Sequence, residues 1–554
     1  MDKTIARHLK MPICKATRAI SQNPNFTKAH FLQRTTEECT FANTRLAQWL
    51  VWWLIEVQYF NQNFVQTDSF VLRNQPLRQA WNRYALEGVP GKQIIESFDF
   101  IDCIAYGEGE KVITQLALAS VGKESLENIP DILFRDKKSS EVSISKISKK
   151  QIKLDESPCP NYDDFISDIE FLEKELEIKI KWNTIPIETS RGCWWGQKKH
   201  CIFCGIADVT MKYRQRSVEN TISILSELRT KYNTPYFRIS DYILPHTYYN
   251  DLLPYLAKLE EENKYVFTCE IKANIKEEQF ELLKDAGFIE VQPGIESFSS
   301  NILRKMDKGV SAIQNIYCII LGLKHTVQVN YNIIYGFPDD EVEDYKEMIK
   351  TIPLLYHLNP PSSRIKVAIT RFAPLQTNPK RFGFTEPYKH HPGYNVLFSK
   401  KFLAEHNFDL SNYCYYFESP YSNSSELEYL YNMLDYQVDY WRSIHQEREV
   451  YLIYECKGES IKFIDTRFDE TPIIKEYNNK FKEVYFYCAG QISSINEISE
   501  KTSFNTSEVK KILNRLVEDR IVYNEGSKYL GLALAESCYE NIKIESNKWS
   551  KPYV

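Results

Sequence analysis

The sequence predicts an α/β protein built on a partial (β/α)6 TIM-like barrel, followed by a winged-helix-like module at the C-terminus. Three observations predict the barrel. Six strand-like runs recur between residues 185 and 372, the stretches between them carry helical periodicity, and polar side chains in the runs share one parity. Strands alternating with helices imply parallel β/α units.

The runs are "IPIETS", "YFRISD", "YVFTCEIKA", "FIEVQPGIE", "QVNYNIIYG" and "RIKVAITRF". Between the first two, "SVENTISILSELRTKY" puts Val218, Ile222, Leu225 and Leu228 on one helical face, with Ser217 placed to cap its start. Alternate side chains of a strand point to opposite faces. Glu270 and Lys272 therefore share a face of the third run, Gln292 and Glu296 of the fourth, and Asn330 and Asn332 of the fifth. The other face must be apolar to pack against helices, so the polar face is expected in the lumen, with its reactive end at the C-terminal rim.

The flanking regions read differently. Residues 1–155 are aromatic and glycine-poor, ending in a polar, basic stretch and a linker, "LDESPCPNYDDF". The barrel is expected over 156–400, an aromatic helical cover over 401–475, and the last module over 476–554. There, "SINEISEKTSFNTSEVKKILNRLVEDRIVYNEGSKYLGLAL" reads as helix, turn, helix and a hairpin turning at Asn524 to Ser527. Val509, Ile512, Leu513, Leu516 and Val517 form the buried stripe of its longer helix.

Totals narrow the function classes. At 554 residues the chain is long enough for about three domains. With 43% hydrophobic, 26% charged and 14% aromatic residues it is globular. A formal net charge of −5 carries no footprint for nucleic acid or an anionic membrane. The basic N-terminus lacks an apolar core and cleavage site, so no secretory signal is read. The most apolar run, "LAQWLVWWLIEVQYF", is interrupted by Gln48 and Glu56 and falls short of the roughly 20 residues of a membrane span, which leaves a buried helix. Thirteen cysteines, odd in number and mostly isolated, form no disulfide framework, and a cytoplasmic location is expected.

Three of those cysteines cluster in "IETSRGCWWGQKKHCIFCGIADVT", directly after the first strand: Cys193, Cys201 and Cys204. A structural zinc site is normally closed by four protein ligands, so three thiols leave a position open. Soft sulfur suits zinc or an iron–sulfur cluster. His200 is the candidate fourth ligand for zinc, although it adjoins Cys201 and two neighbouring ligands on one ion are strained.

"RGCWWGQKKHCIFCG" resembles the cluster loop of radical S-adenosylmethionine (SAM) enzymes, in a variant with seven residues between the first two cysteines. "QPGIESFSSNILRKMDKGV" and "NIIYGFPDDEVEDY" resemble that superfamily's fourth- and fifth-strand motifs. The resemblance is closest to the branch that matures ribosomally made peptides, the cobalamin-dependent peptide C-methyltransferases. It implies that Cys193, Cys201 and Cys204 bind three irons of a [4Fe–4S] cluster, leaving the fourth free to chelate SAM. Reductive cleavage of SAM would then give a 5′-deoxyadenosyl radical. A precursor peptide and an electron donor such as flavodoxin or ferredoxin are the implied partners.

The same resemblance carries individual residues. Phe203 would pack near the adenine, and Gly205 would let backbone approach the cofactor or relieve a turn. Asp241 ends the second strand, where related enzymes contact the methionine amino group, but this chain has "SDYI" in place of Gly-Gly-Glu. Glu296 and Ser297, in "GIES", stand where ribose hydroxyls or the methionyl amine are handled. Glu270 is a lumen partner, either for the cofactor or for Lys272. Arg371 in "TRFAP" would meet a carboxylate or form a structural ion pair. Catalytic residues beyond these are unassigned.

Upstream, "ALEGVPGKQIIESFDFIDCIAYGEGE" and "FNQNFVQ" resemble parts of a cobalamin-binding domain. Only Gly88 and Gly91 occur in the first hundred residues, too few for a full set of glycine-bearing βα turns, so a shortened Rossmann-like domain is expected. Cobalamin-dependent methylation and cobalamin-independent cyclisation, epimerisation or rearrangement both stay open. A reading from another class is a zinc-stabilised winged-helix protein contacting DNA through Lys510, Lys511, Arg515 and Arg520.

Overall fold

The computed structural model describes residues 69–70, 80–82, 88–136, 139, 141–148, 151–180, 184–384 and 388–540. Chain packing separates Met1–Val65 from Gln66–Val554. The apolar run around Trp52 and "FNQNFVQ" lie outside the described residues.

The N-terminal sheet has strands β1 (Ser69–Phe70), β2 (Ala80–Asn82), β3 (Cys103–Ala105), β4 (Ile132–Arg135) and β5 (Val142–Ile144), in that order. Only β2 and β3 are parallel, joined by helix α1 (Val89–Ser97); the other pairs are antiparallel. A Rossmann-like domain is built from successive parallel βαβ units. The described sheet contains one. The polar, basic stretch after Arg135, expected to close the N-terminal region, contributes β5, whose Val142–Ile144 pair back onto β4.

The barrel follows the predicted six runs. Strands β6 (Thr184–Ile187), β7 (Tyr236–Ile239), β8 (Val266–Ile271), β9 (Phe288–Pro293) and β10 (Gln328–Val329) form a continuous parallel sheet. Strand β11 (Asn332–Tyr335) continues β10, bridges to Glu296 beyond β9, and pairs in parallel with β12 (Ser363–Lys366). The result is an open α/β half-barrel.

Period two is plain in its burial. Phe267, Cys269 and Ile271 are buried under the helices, while Thr268, Glu270 and Lys272 face the other way. Phe237, Phe267 and Phe288 meet across neighbouring strands, the last two stacking with centroids 4.9 Å apart. Burying each such ring contributes about 1.5–3 kcal/mol.

Helix α2 (Val218–Tyr232) is capped by Ser217, whose hydroxyl accepts from the Asn220 amide. Its buried stripe is Thr221, Ile224, Leu225 and Leu228; Val218 and Ile222 lie at the flank. Ser311 and Gln314 form a capping box on helix α3 (Ala312–Lys324), which shields the outer face of the sheet.

The segment expected as a helical cover over 401–475 is helical mainly in α4 (Ser425–Glu447). Beyond it the chain forms antiparallel strands β13 (Leu452–Lys457), β14 (Ser460–Asp465) and β15 (Ile473–Tyr477). The alternation of buried Ile461 and Phe463 with more exposed neighbours, and the turn at Gly458, explain the hairpin. These strands lead into helices α5 (Asn479–Ala489), α6 (Ile495–Lys501) and α7 (Thr506–Glu518), and into the hairpin β16 (Val522–Glu525) and β17 (Lys528–Gly531). In α7, Val509, Ile512, Leu513 and Leu516 are buried, and Val517 is half-buried. This region meets the barrel through Tyr317, which donates to the Gly490 carbonyl at 2.7 Å, and His357, whose Nε2 lies 2.8 Å from the Leu532 carbonyl oxygen.

Candidate active site

The three-cysteine loop leaves the rim of β6 and is tied down at both ends. Ser190–Arg191 pair antiparallel with Arg214–Gln215, and the Cys193 amide donates to the Met211 carbonyl at 3.2 Å. Arg191 holds Glu188 and Glu110 at 2.7 Å each and Glu108 at 3.1 Å, joining the loop's base to the N-terminal region. At its far side Trp195 Nε1 donates to the Asp307 carbonyl at 3.0 Å, and the Ile202 amide to the Met306 carbonyl at 3.1 Å. Gly309, at φ +68°, packs against Trp195; a Cβ there would lie 2.1 Å from the indole.

These ties hold the sulfurs over the lumen. Burial pushes the Cys204 thiol up to about 12, with Cys201 and Cys193 adding to it. Cys201 is also raised by burial, and the nearby ammonium groups of Lys308 and Lys272 oppose that shift. The three sulfurs thus feel one another and two cations. Among the described residues no three Cys, His, Asp or Glu side chains converge on a single ion. His200, the expected closing ligand for zinc, places Nε2 2.9 Å from the Cys204 carbonyl oxygen.

Beneath the thiols lies a half-buried charge cluster. Lys308 pairs with Glu296 at 2.9 Å and stands 5.6 Å from the centroid of Phe203. Burial lowers the Lys308 ammonium's affinity for its proton, but Glu296 and the cysteines outweigh it and the pKa is raised. Glu296 holds φ +59°, a left-handed conformation uncommon for a residue with a side chain. Lys272 lies over Trp195 at 3.9 Å and donates to the Lys308 carbonyl at 2.5 Å. It is not paired with Glu270. Burial and the charge of Lys308 bring Lys272 down to about 8, and burial pushes Glu270 up to about 7.

Four expected cofactor contacts are committed elsewhere. The Asp241 carboxylate is buried and accepts from the Thr189 amide at 2.8 Å and hydroxyl at 2.6 Å, so it clamps the ends of β6 and β7. Ser297 turns into the core, its hydroxyl accepting from the Ser299 amide at 3.0 Å. Arg371 donates to the carbonyls of Cys414 and Ser411 at 2.6 Å each. A Cβ on Gly205 would lie 2.0 Å from the Tyr415 hydroxyl, so that glycine makes room for a tyrosine. Glu296 and Phe203 both stand against Lys308, and Glu270 feels the charges of Lys308 and Glu296. Lys308 was the residue missed, although it sits in the quoted fourth-strand motif.

Residues 187–352, which contain the loop, the lumen face and the charge cluster, match the family model of the Radical SAM superfamily. The chain carries a radical SAM domain. That superfamily uses a [4Fe–4S] cluster and SAM. The donor set of the radical SAM domain fits the cluster: three thiols each take a different iron, and so need not converge on one point as around a zinc ion.

An uncharacterised methyltransferase of Pyrococcus horikoshii is 27% identical over 255 residues, covering 45% of this chain and 52% of that protein. The tRNA-2-methylthio-N(6)-dimethylallyladenosine synthase of Buchnera aphidicola is 24% identical over 265 residues, covering 45% and 56%. The chain therefore spans about half the length of these curated relatives. Among solved structures, the cobalamin-dependent SAM radical enzyme OxsB, with aqua-cobalamin and SAM bound, gives a TM-score of 0.47 at 14% identity, covering 85% of this chain and 68% of that one.

Proposed function

We propose that this chain is a radical SAM enzyme that C-methylates a ribosomally synthesised peptide. The observation that carries the radical chemistry is the grouping of Cys193, Cys201 and Cys204 at the strand rim above Glu296, Lys308 and Glu270. In this reading the thiolates hold the cluster, and the bound cofactors supply a 5′-deoxyadenosyl radical. The protein orients them and excludes water.

Glu296 would accept hydrogen bonds from hydroxyl or amino groups of SAM, a role suited to a carboxylate with several lone pairs. Lys308 holds Glu296 in place within the lumen through their 2.9 Å ion pair. Phe203 offers an apolar edge for the adenine, and Trp194 and Trp195 cover the loop against solvent. The name of the Pyrococcus relative supports methyl transfer; the peptide substrate rests on the motif resemblance.

Cobalamin-independent modification is the second reading. It is favoured by the N-terminal sheet, whose described strands offer one parallel βαβ unit rather than a full nucleotide-binding core. The test is anaerobic reconstitution, with and without cobalamin, followed by incubation with reductant, SAM and a short peptide encoded beside the gene. Mass gain by one CH2 unit that needs cobalamin supports the first reading. Another mass change without cobalamin supports the second, and a peptide left unchanged under both conditions counts against each.

A further inference from the structure

Glu296 keeps its left-handed conformation, φ +59°, just beyond the end of β9. A residue with a side chain persists there only when its surroundings over-determine it. Three hydrogen bonds do so. The Glu296 carbonyl accepts from the Ile334 amide at 2.9 Å. The carbonyls on either side of it, those of Ile295 and Ser297, both accept from the Asn315 side chain, at 2.8 Å and 2.9 Å. One amide group thus brackets the strained residue.

Asn315 is fully buried in α3, a helix whose other buried side chains are mostly apolar. Its Nδ2 makes both bonds, and among the described residues its Oδ1 has no partner. A buried amide with one end unsatisfied costs free energy that a leucine in its place would not. Packing therefore does not account for an asparagine here; the two carbonyls do. The start of α3 is fastened from the C-terminal hairpin. Glu525, at the end of β16, accepts from the Ile313 amide at 2.9 Å and from the Ser300 hydroxyl, which itself accepts from the Ala312 amide at 2.8 Å.

We propose that Asn315 is a positioning residue for the radical SAM reaction. It holds Glu296 in the left-handed conformation that sets the carboxylate against Lys308, and Glu525 seats the helix that carries it. The fit around the ion pair is close. A Cβ on Gly294 would lie 2.1 Å from Lys308 Nζ and 3.0 Å from Glu296 Oε1, so a shift of this backbone displaces the pair. The proposal rests on the reading of Glu296 as a SAM contact, and through α3 it gives the C-terminal hairpin a part in the site.

A mere fastener of the core predicts something else. Its loss would lower stability, and any effect on SAM would add to that of changing Glu296, because uncoupled sites add. A positioning residue acts through Glu296, so the two losses overlap.

The test titrates SAM into the reconstituted, reduced full chain while the paramagnetic resonance signal of its cluster is followed. Glu296→Gln and Asn315→Leu should each weaken SAM binding by about tenfold, and the double variant should lose little more than either alone. In the metal-free protein, hydrogen exchange at the Ile334 amide should quicken in Asn315→Leu but not in Glu296→Gln. Glu525→Ala changes a half-buried hairpin position and keeps the test decisive if Asn315→Leu misfolds; it should weaken SAM binding by about threefold. Losses that multiply in the double variant, or SAM binding and exchange at parental values in Asn315→Leu and Glu525→Ala, would overturn the positioning role. SAM binding indifferent to Glu296→Gln would instead overturn the reading of Glu296 as a SAM contact, while quicker exchange at Ile334 in Asn315→Leu would still uphold the clamp on Glu296.

Discussion

Lys308 and Glu296 form the half-buried pair on which the lumen's electrostatics turn. Removing one partner of such a pair leaves the other charge unpaired, which typically costs about 1–3 kcal/mol. Glu296→Ala should therefore lower the thermal midpoint sharply, while Glu296→Gln combined with Lys308→Met should recover much of it; calorimetry on the two variants checks this. Glu270 gives a pH signature. Its folded pKa, about 7, lies above the ordinary 4.5, so the folded state holds the proton more tightly than the unfolded chain. Stability is then fullest below about pH 4.5 and is lost as pH rises toward 7. Glu270→Gln should remove that decline, gaining about 1–3 kcal/mol over the parent at pH 8 but not at pH 4.5; denaturant melts at the two pH values test it. Lys308 was less legible than Glu296, because a lysine in "RKMDKGV" reads as one more surface charge until the loop after β9 folds back beneath the cysteines.

At the scale of elements, the loop from Cys193 to Cys204 is held in shape by the turn at Asp307–Gly309. Gly309→Ala would drive a methyl into the Trp195 indole at a positive φ. The expected result is a folded protein that retains less iron after reconstitution, measured as iron and sulfide per chain; full retention would show that the loop is positioned otherwise. The six barrel strands were legible because burial imposes period two, and Ser217 was legible because a cap needs only a local hydroxyl. What could not be read was tertiary: which polar side chains at the rim face the lumen and which serve the scaffold. Asp241 and Arg371 carry suitable chemistry at suitable strand ends, yet Thr189 and the carbonyls of Ser411 and Cys414 claim them. Gly205 answers to Tyr415, a residue 210 positions away. The hairpin of β13 and β14 was missed for a different reason: its alternation lies inside an aromatic stretch whose earlier part is helical.

For the whole molecule, the half-barrel is joined to both of its described neighbours by hydrogen bonds and ion pairs. Arg191 ties the cluster loop to Glu108 and Glu110 of the N-terminal region. Arg467, fully buried, joins Asp465 to the Leu354 carbonyl and so fixes the C-terminal sheet to the barrel. In the proposed reading these ties support one centre, the three-cysteine loop at the rim of the half-barrel. That centre is tested most directly by electron paramagnetic resonance of the reduced, reconstituted protein with and without SAM. A [4Fe–4S] signal that changes when SAM is added, and is absent from the variant lacking Cys193, Cys201 and Cys204, is expected. A signal indifferent to SAM, or one that survives loss of all three cysteines, would contradict the proposed cluster with its open iron.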